Sequence, residues 1–325
     1  MTRLGFALLT ALIGLLVSPV AAGPYHFTQV YSGTAGSSPF NRPTINDLGQ
    51  VAYFRDLGGL EQVVLNTGGV ETVLAENDPN SNLPGDIVRF LHISPLNNQG
   101  NVAHLSQRRG APSAVLSAPG FSTSSAEYAV LRLSALNDGD SVAFIGSPVG
   151  TGPESVFLWN GSELVTVAER NGPFSFLGAD LNNAGNVAFA TGEGVFVGDG
   201  GPLTTIAAAQ DLPSALDASL TINDLGQVAF RAGGTIFVGD GTSLTTVADT
   251  SGPYLSLNTP MITDAGTVAF EAVLDAGGNG IFVGPDAVTD RVIAAGDTLN
   301  GFNVSRVSIG GINDAGQIVF FASAG

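Results

Sequence analysis

One short string of residues recurs along this chain and constrains its fold more than any other feature. Its clearest copy, Ile-Asn-Asp-Leu-Gly-Gln-Val-Ala-Phe, occupies residues 222–230. Copies with Asn, Gly, Ala and an aromatic residue at offsets zero, three, six and seven follow one another at intervals of 51, 40, 45, 41, 40 and 50 residues. Periods of this length are typical of stacked supersecondary units. The copies start at Asn46, Asn97, Asn137, Asn182, Asn223, Thr263 and Asn313.

The residues around each copy predict short strands rather than helices. In the unit 174–210, four apolar or β-branched runs are each bounded by Gly, Asn, Asp or Pro, and we assign strands to residues 174–177, 186–190, 194–198 and 203–207. A four-stranded antiparallel meander repeated about seven times predicts an all-β propeller of seven blades, with six blades and a frayed end as the alternative. The even spread of the copies indicates a single domain.

The two ends of the chain predict how the ring of blades closes. Residues 26–31 match the fourth strand of other units, and residues 317–321 match a second strand. A last blade that combines both termini would remove open sheet edges. We assign no segment to its third strand, so we expect either a blade of three strands or a chain that is truncated relative to its relatives.

Residues 1–22 have the features of a secretory signal peptide. Arg3 supplies the positive start, residues 4–17 the apolar run, and Val20-Ala21-Ala22 the small residues that precede cleavage. We predict cleavage after Ala22, which leaves residues 23–325 as the mature domain. The product would be extracellular, periplasmic or associated with the cell surface, and would meet the membrane only through the leader. A retained membrane anchor is the alternative.

Charge and cysteine content exclude some partners and some sources of stability. With 11 basic and 28 acidic residues, the formal net charge is −17, which disfavours nucleic acid and anionic membrane surfaces as partners. Cysteine is absent, so no disulfide stabilises the exported product. Stability must come from the core and from closure of the ring, and we expect a monomer.

The motif itself predicts a turn followed by a packing strand. Its Asn can bond the backbone two residues on, and its Gly can take a positive φ without a Cβ clash. In the strand that follows, Val228 and Phe230 would point to one face and Ala229 to the other. A small residue lets one neighbouring blade approach, and the aromatic fills the other interface; a repeated ion or ligand site is the alternative. We assign this structural role to Asn46, Gly49, Asn97, Gly100, Asn137, Asn182, Gly185, Phe189, Asn223, Gly226, Phe230, Gly266, Phe270, Asn313, Gly316 and Phe320.

Three departures from the pattern are informative. His104 replaces the aromatic residue, and we interpret it as a core residue with a hydrogen-bond partner rather than as a catalyst. Asp140 occupies the Gly position beside Gly139, which predicts a shifted turn of the same length. Thr263 replaces Asn and predicts a weaker version of the same cap.

The predicted blade geometry separates the loops into two rims. The turns between strands one and two and between strands three and four share one rim, which carries the motif. The other rim carries loops that differ from unit to unit, and binding residues tend to lie on such loops. We predict ligand contacts there at Arg55 and at the adjacent basic pair Arg108 and Arg109, which could bind a carboxylate or sulfate; a solvated loop is the alternative.

Carboxylates on the same variable rim form a candidate metal site. No catalytic motif is recognisable in the sequence. Glu76, Asp78 and Asp86 could supply oxygen ligands to calcium, although no EF-hand-like or nonapeptide spacing is present. We predict no other cofactor. The sequence contains no nucleophile elbow, phosphate-binding loop or metal triad, and the catalytic residues of an enzyme, if it is one, are unknown. Paired carboxylates facing each other in the ring could serve a glycosidase.

The repeated Asn-x-x-Gly-x-x-Ala-Phe string resembles the signature of a bacterial family of exported tandem-repeat proteins named for this motif and for their varied C-terminal anchors. Six of the seven copies keep Asn, six keep an aromatic residue, and the resemblance covers residues 46–320. It implies an exported, surface-associated protein of unknown molecular function. We predict a non-enzymatic binding or scaffold protein for polysaccharide or protein, with an extracellular polysaccharide hydrolase or lyase and a structural envelope component as alternatives.

Overall fold

The computed structural model describes residues 10–17, 25–34, 42–78, 80, 86–110, 114–150, 152–170 and 175–324. Within these ranges the chain forms a propeller of seven antiparallel blades, as the repeat predicts, and the only helical element is one 3-10 turn, Ala209–Asp211. No helix in the described ranges is both long and apolar enough to cross a membrane.

Strands are numbered along the chain, and in blades 1 to 6 each blade starts with its innermost strand. Two strands precede the first blade: β1 (Thr10–Val17) and β2 (His26–Thr34). Blade 1 contains β3 (Thr44–Ile45), β4 (Val51–Asp56), β5 (Glu61–Thr67) and β6 (Val70–Glu76). Blade 2 contains β7 (Ile87–Ile93), β8 (His104–Arg108), β9 (Val115–Ala118) and β10 (Phe121–Ser124). Blade 3 contains β11 (Tyr128–Leu136), β12 (Val142–Pro148), β13 (Ser155–Trp159) and β14 (Leu164–Glu169).

The remaining blades complete the ring. Blade 4 contains β15 (Gly178–Leu181), β16 (Val187–Thr191), β17 (Gly194–Gly198) and β18 (Thr204–Ala208). Blade 5 contains β19 (Leu216–Ile222), β20 (Val228–Ala232), β21 (Thr235–Gly239) and β22 (Leu244–Asp249). Blade 6 contains β23 (Tyr254–Ile262), β24 (Val268–Leu274), β25 (Asn279–Phe282) and β26 (Arg291–Ala294). Blade 7 includes β27 (Thr298–Leu299), β28 (Phe302–Ile312) and β29 (Ile318–Ala324).

The motif forms the turn between the first two strands of each blade, with one difference from the prediction. In blade 5 the Gly226 N–H donates to the Asn223 carbonyl at 3.0 Å, and Gly226 has a φ of 80°. The Asn223 side-chain oxygen, however, accepts the N–H of Gln227, four residues on, at 2.9 Å. The Asn side chain therefore spans the whole turn and holds both ends of the hairpin; an additional bond two residues on occurs only at Asn97 and Asn137 in the described ranges.

The strand after the turn packs as the alternation predicts. Phe230 and Val228 pack against Ala188 of blade 4, whereas Ala229 faces the opposite way, toward Phe270 of blade 6. The aromatic of one blade thus fills the interface with the preceding blade, and the small residue admits the aromatic of the next. Each of seven apolar clusters joins two neighbouring blades, so the core is a closed series of blade interfaces.

The structure corrects two predictions, one for Asp140 and one for the first strand of blade 4. Asp140 does not shift the turn: it takes a φ of 58°, and its N–H bonds the Asn137 carbonyl as the glycines do. Its carboxylate accepts the side-chain amide of Asn97 in blade 2 at 2.8 Å, which offsets the strain of a non-glycine residue in this conformation. In blade 4, the first strand is Gly178–Leu181, whereas the prediction placed it at residues 174–177, of which residue 174 lies outside the described ranges. Phe176 packs in the blade interface.

His104 packs in the core as an aromatic residue, as expected, but without the expected partner for Nδ1. In three blades the motif aromatic stacks on a Phe of the third strand, as Phe230 does on Phe237 at 5.6 Å. The residue opposite His104 on β9 is Ser117, and the ring instead meets Phe90 edge-on at 5.3 Å. Among the described residues the His104 Nδ1 atom has no hydrogen-bond partner, and burial lowers the pKa of His104 to about 4.

Blade 7 is closed by the N-terminus, as predicted, but it has four strands besides the short β27. Its order is β2, β1, β29, β28, with β2 in the fourth position. The prediction of a missing third strand is wrong for this chain because Thr10–Val17 occupies that position, paired on both sides. Those residues lie within the segment assigned to the leader, and the predicted cleavage site after Ala22 falls outside the described residues.

Candidate functional site

The channel that the seven blades surround differs strongly between its two ends. At the narrow end lies a ring of residues that follow the motif Asn or Thr, here called the mouth ring. Each backbone N–H of this ring donates to the side-chain Oδ1 of the corresponding residue in the next blade, at 2.6 to 2.9 Å, and the seventh bond returns to the first blade. The mouth ring consists of Asp47, Asn98, Asp138, Asn183, Asp224, Asp264 and Asp314.

A second ring of hydrogen bonds lies directly behind the mouth ring. Six of the motif Asn side chains donate through Nδ2 to the backbone carbonyl of the motif residue in the next blade, at 2.9 to 3.0 Å. Thr263 has no amide to donate, so the corresponding link to Asn313 is absent in the described structure, although its hydroxyl still accepts the Thr267 N–H at 3.1 Å. The motif is therefore a device that connects blades as well as a turn.

The charges of the mouth ring are balanced unevenly. The Asn98 amide donates to Asp47 and Asp138, and the Asn183 amide donates to Asp138 and Asp224. Between Asp224 and Asp47 the ring passes through two further carboxylates with no such amide between them. Burial raises the pKa of Asp314, and the charges of Asp47 and Asp264 raise it further. The ring surrounds a cavity of about 170 Å³.

Aliphatic side chains separate this mouth from a wider cavity. They come from the residue immediately before each motif and all line the narrow end; all but Leu96 also line the wide cavity. Apolar constrictions of this kind disfavour the passage of charged species because an ion there loses its hydration. The set is Ile45, Leu96, Leu136, Leu181, Ile222, Ile262 and Ile312.

The wide cavity, of about 560 Å³, lies toward the variable rim, and its lining is partly apolar and partly polar. Most of its lining residues are aliphatic, glycine, proline or methionine, and the hydroxyl-bearing residues Thr44, Ser94 and Thr221 line it as well. Three residues with titratable or charged groups also line it, namely Arg42, His92 and Asp180. Apolar cavities with a few converging polar groups are typical ligand sites.

Asp180 is the carboxylate of this cavity. It stands two residues before the motif Asn of blade 4, and its Oδ2 accepts the N–H of Ile222 in blade 5 at 3.0 Å. Desolvation raises its pKa to about 6, although the N–H groups of Ile222 and Leu181 oppose the rise. The side chain is only half-buried by surface area, because it remains accessible from the cavity. Within the described residues, Asp180 has no ion-pair partner.

The backbone bond made by Asp180 does not require a charge. Thr44 stands at the corresponding place in blade 1, and its hydroxyl accepts the Leu96 N–H of blade 2 at 2.9 Å. A neutral hydroxyl therefore makes the same connection between neighbouring blades. The negative charge of Asp180 exceeds what the scaffold needs, which is a reason to assign it a second role.

His92 and Arg42 complete the polar lining. Burial lowers the pKa of His92, so the imidazole is neutral at pH 7, and its Nδ1 atom has no partner among the described residues. Arg42 precedes β3 and reaches across blade 7 to the Thr259 hydroxyl of blade 6 at 3.3 Å. The cavity thus offers a carboxylate, a neutral imidazole and a guanidinium, but no second carboxylate among the described residues that line it.

The predicted rim residues are not gathered into one site. Arg55 ends up within blade 1: its Nε donates to Gln62 at 2.8 Å and its guanidinium pairs with Glu71 at 2.6 Å. Arg108 is the last residue of β8 and donates to the Ser117 hydroxyl at 3.1 Å, while the Arg109 backbone N–H bonds the Asp86 carbonyl. A role in ligand binding remains a prediction for these arginines.

The predicted calcium ligands also have neighbours of their own. Glu76 accepts the Gln62 amide at 2.9 Å, and Asp78 accepts the Asn80 N–H at 3.0 Å. Residues 79 and 81–85, which connect them to Asp86, lie outside the described ranges. In the described part of the chain, no three acidic or histidine side chains are grouped so that they could hold a metal ion.

Comparisons with known proteins support the fold and leave the activity open. The profile of a family of unknown function (DUF7453) matches residues 182–325, which is less than half of the chain. No curated protein matches. Prolyl oligopeptidase B from Galerina marginata is 13% identical with a TM-score of 0.52 over 87% of this chain and 46% of that one. Virginiamycin B lyase from Staphylococcus aureus (10% identity, TM-score 0.46, 87% and 94%) and AztD from Citrobacter koseri (9%, 0.48, 89% and 83%) are also similar.

The sequence did not reveal the cavity residues, because binding residues were expected on the variable loops. Asp180 lies in the first strand of its blade, two residues before the motif, where the other copies have Thr, Pro, Ala, Met or Gly. An alignment of the copies extended by five residues toward the N-terminus shows a carboxylate at this offset in one blade only. The signal was present, but it lay in a strand that was expected to pack rather than bind.

Proposed function

We propose that this protein is an exported, non-enzymatic binding protein that receives part of its ligand in the wide end of the central channel. The ligand is a surface polysaccharide or protein that presents an N–H donor or basic group. The observation that carries the proposal is Asp180, a carboxylate that lines the wide cavity and has no ion-pair partner among the described residues. It lies at a place where Thr44 shows that the scaffold needs no charge. A cationic group would relieve the desolvation of this carboxylate.

The variable rim would contribute the outer contacts of the same ligand. The wide cavity lies toward that rim, so a polymer whose end enters the channel would cross the loops that differ between blades. Export of the protein and its association with the cell surface are part of the proposal, supported by the leader-like residues 1–22 and by the resemblance of the repeat to that of exported proteins.

The test is a binding screen with a matched pair of charge-neutralising variants. Arrays of amino-bearing and neutral glycans, and of basic and neutral peptides, are probed at pH 7.5, and affinity for any ligand found is measured by calorimetry. Asp180→Asn should weaken binding at least tenfold. Asp199→Asn, which removes an exposed carboxylate in a turn of the same blade, should leave binding unchanged. Equal affinity of wild type and Asp180→Asn would refute the channel as the binding place.

A double variant separates the channel from the rim. Arg108→Ala combined with Arg109→Ala should weaken binding only if the outer contacts involve these side chains. If this variant abolishes binding while Asp180→Asn has no effect, the ligand is an anion held on the rim, and the channel assignment is wrong.

A second candidate function is acid–base catalysis on an extracellular polymer. It is favoured by one observation: an acid with a pKa of about 6 and a neutral histidine line the same cavity, a combination that suits proton transfer near neutral pH. The single carboxylate argues against a glycosidase that needs two. Release of shortened or unsaturated products by the wild type, lost in Asp180→Asn while binding persists, would establish the enzyme instead of the binding protein.

A further inference from the structure

Blade 7 is assembled unlike the other six. Each of the others consists of four consecutive strands, whereas β28 and β29 of blade 7 come from the C-terminal region and β1 and β2 from the N-terminal region. The third position belongs to β1, which runs antiparallel to both neighbours. It pairs with β29 from Ala11 opposite Ser323 to Leu16 opposite Ile318, and with β2 along its whole length.

The strand on the outer side of β1 has its own attachments to the ring. Phe27 of β2 meets Phe320 of β29 edge-on at 5.9 Å. Tyr31 stacks on Tyr53 of blade 1 at 5.2 Å, and Asn300 donates to Gln29 at 3.2 Å. These contacts position β2 without involving β1.

The strand on the inner side is fixed as well. β29 pairs with β28 over its length, and Val319 packs in the interface with blade 1. The mouth ring closes between Asp314 and Asp47 at 2.9 Å. The rest of the propeller therefore holds both strands that flank β1, which we call the outer wall (β2) and the inner wall (β29).

Two positioned walls define a slot one strand wide. Neighbouring strands lie about 4.8 Å apart, so β29 and β2 are about 10 Å apart, with a row of backbone donors and acceptors on each side. An ordinary exposed edge binds an added strand along one side only. A strand in this slot is bonded along both sides, and an empty slot leaves both rows without strand partners.

We propose that the space between β29 and β2, which residues 10–17 fill in this structure, is a strand-acceptor site that binds an extended apolar strand of the same kind when that segment leaves it. The segment Thr-Ala-Leu-Ile-Gly-Leu-Leu-Val has no charged residue and no Pro, so its insertion desolvates no charge and every residue can join the ladder. The segment that resembles the leader thus completes the seventh blade while it remains attached. Its removal opens an acceptor site for an extended apolar strand of the same kind.

Disulfide trapping in the full chain tests the register, and the absence of native cysteine makes it clean. Ala11→Cys with Ser323→Cys reports on the inner wall, and Leu12→Cys with Ser32→Cys reports on the outer wall, because both pairs lie directly opposite each other. Opposed residues in antiparallel strands are within disulfide range. Both variants should form an intramolecular disulfide under mild oxidation, detected by thiol counting and mass spectrometry.

The matched control pairs one of the same positions out of register. Leu15→Cys with Ser323→Cys separates the two thiols by four residues along the strand, about 13 Å, and should remain reduced. Equal cross-linking of the in-register and control pairs would mean that the segment is not docked, and an absence of cross-links in both in-register pairs would overturn the proposal.

A strand-breaking variant tests the acceptor itself. Leu15→Pro in the full chain removes one backbone donor and should expel β1, which should raise hydrogen exchange at least tenfold in β29 and β2 but not in blade 5. A synthetic peptide with the sequence of residues 10–17 should restore protection, while the same peptide carrying Pro at the fifth or sixth position should not. Unchanged exchange in β29 and β2, or no response to the intact peptide, would refute an acceptor site.

Discussion

The narrow end of the central channel is built from repeated contacts, whereas the residues of the wide end vary from blade to blade. At the narrow end, the same hydrogen bond is repeated around seven blades, and each motif contributes a turn, a link to the next blade and a pair of packing residues. At the wide end, the residues two places before the motif range from Gly311 to Asp180, and only Thr44 and Thr221 are identical. A structural role is indicated where all copies agree, and a functional one where a single copy adds a charge that its counterparts do not need.

At the narrow end, stability should be most sensitive to substitution of the motif's aromatic residue. Phe230 is 1% exposed, stacks on Phe237 and fills the interface between blades 4 and 5. Phe230→Ala should lower the free energy of unfolding by about 3 to 5 kcal/mol, because it leaves a large cavity between two blades. Chemical denaturation measures the effect.

The control for this variant lies in the same motif. Leu225 is 72% exposed at the tip of the turn, so Leu225→Ala should change stability by less than about 0.5 kcal/mol. Comparable losses in both variants would mean that the motif contributes through the turn alone and that the interface is not the dominant element.

The second largest effect is expected for the ring of Asn side chains. Asn223 is buried, donates to the Thr263 carbonyl at 3.0 Å and accepts the Gln227 N–H. Asn223→Ala should destabilise the protein by about 2 to 3 kcal/mol, because it leaves a buried donor and acceptor without partners. The reciprocal change Thr263→Asn should stabilise by about 1 kcal/mol by supplying the missing link to Asn313. Thermal unfolding of both variants checks the pair, and a destabilised Thr263→Asn would argue against a continuous ring.

Most of the repeated structure at the narrow end could be predicted from the sequence. The offsets of the motif identify the turn, the blade period and the faces of Ala229 and Phe230, because these follow from local geometry and strand alternation. The links between blades could not be predicted, since they join residues 40 to 51 positions apart, or 267 where the ring closes, and depend on how far the inner strands diverge. The Asn side-chain bond was placed two residues on instead of four because an Asn at the start of a turn commonly bonds its own backbone two residues on, whereas here it spans the whole hairpin turn.

The parts that vary from blade to blade were largely inaccessible from the sequence. Cavity lining depends on which first-strand side chains face the channel. The lone carboxylate two residues before a motif marks Asp180, but nothing comparable marks His92. The prediction placed the binding residues on loops by composition, but Arg55 is engaged with Glu71 inside blade 1. The third strand of blade 7 was missed because an apolar run after an N-terminal Arg indicates a leader, whereas hydrogen bonding to two distant strands leaves no local trace.

At the wide end, Asp180 should lower the stability of the protein as pH rises, which is the reverse of the usual effect of a carboxyl group. Its pKa is about 6 in the folded state and 3.8 in the unfolded chain, so folding favours the protonated form. The contribution of the protonated Asp180 side chain to the free energy of unfolding is fully present below pH 3.8 and is lost as pH rises through 6. Asp180→Asn should therefore be more stable than wild type at pH 8, by about 1 to 3 kcal/mol, and equal to it at pH 3.5.

Thermal unfolding of both proteins from pH 3.5 to 8 measures this difference. Asp199→Asn serves as the control for net charge, because Asp199 is exposed. A constant difference between wild type and Asp180→Asn across the range would show that the carboxylate is not desolvated, and the assignment of an unneeded charge in the cavity would lose its support.

The smallest effect should come from the unevenly balanced part of the mouth ring. Asn98 and Asn183 each bridge two flanking carboxylates through their amides, whereas Asp314 stands between Asp264 and Asp47 with no amide to offer. Asp314→Asn can keep the bond to the Asp264 N–H and add bridges to both flanking carboxylates. It should stabilise the protein by about 0.5 to 1 kcal/mol at pH 7, less at high salt because the repulsion it removes is screened. Asn98→Asp should do the reverse, because it removes the two amide bridges to Asp47 and Asp138. If neither change alters stability, the bonds from backbone N–H groups hold the mouth ring, and repulsion among its carboxylates has no measurable effect.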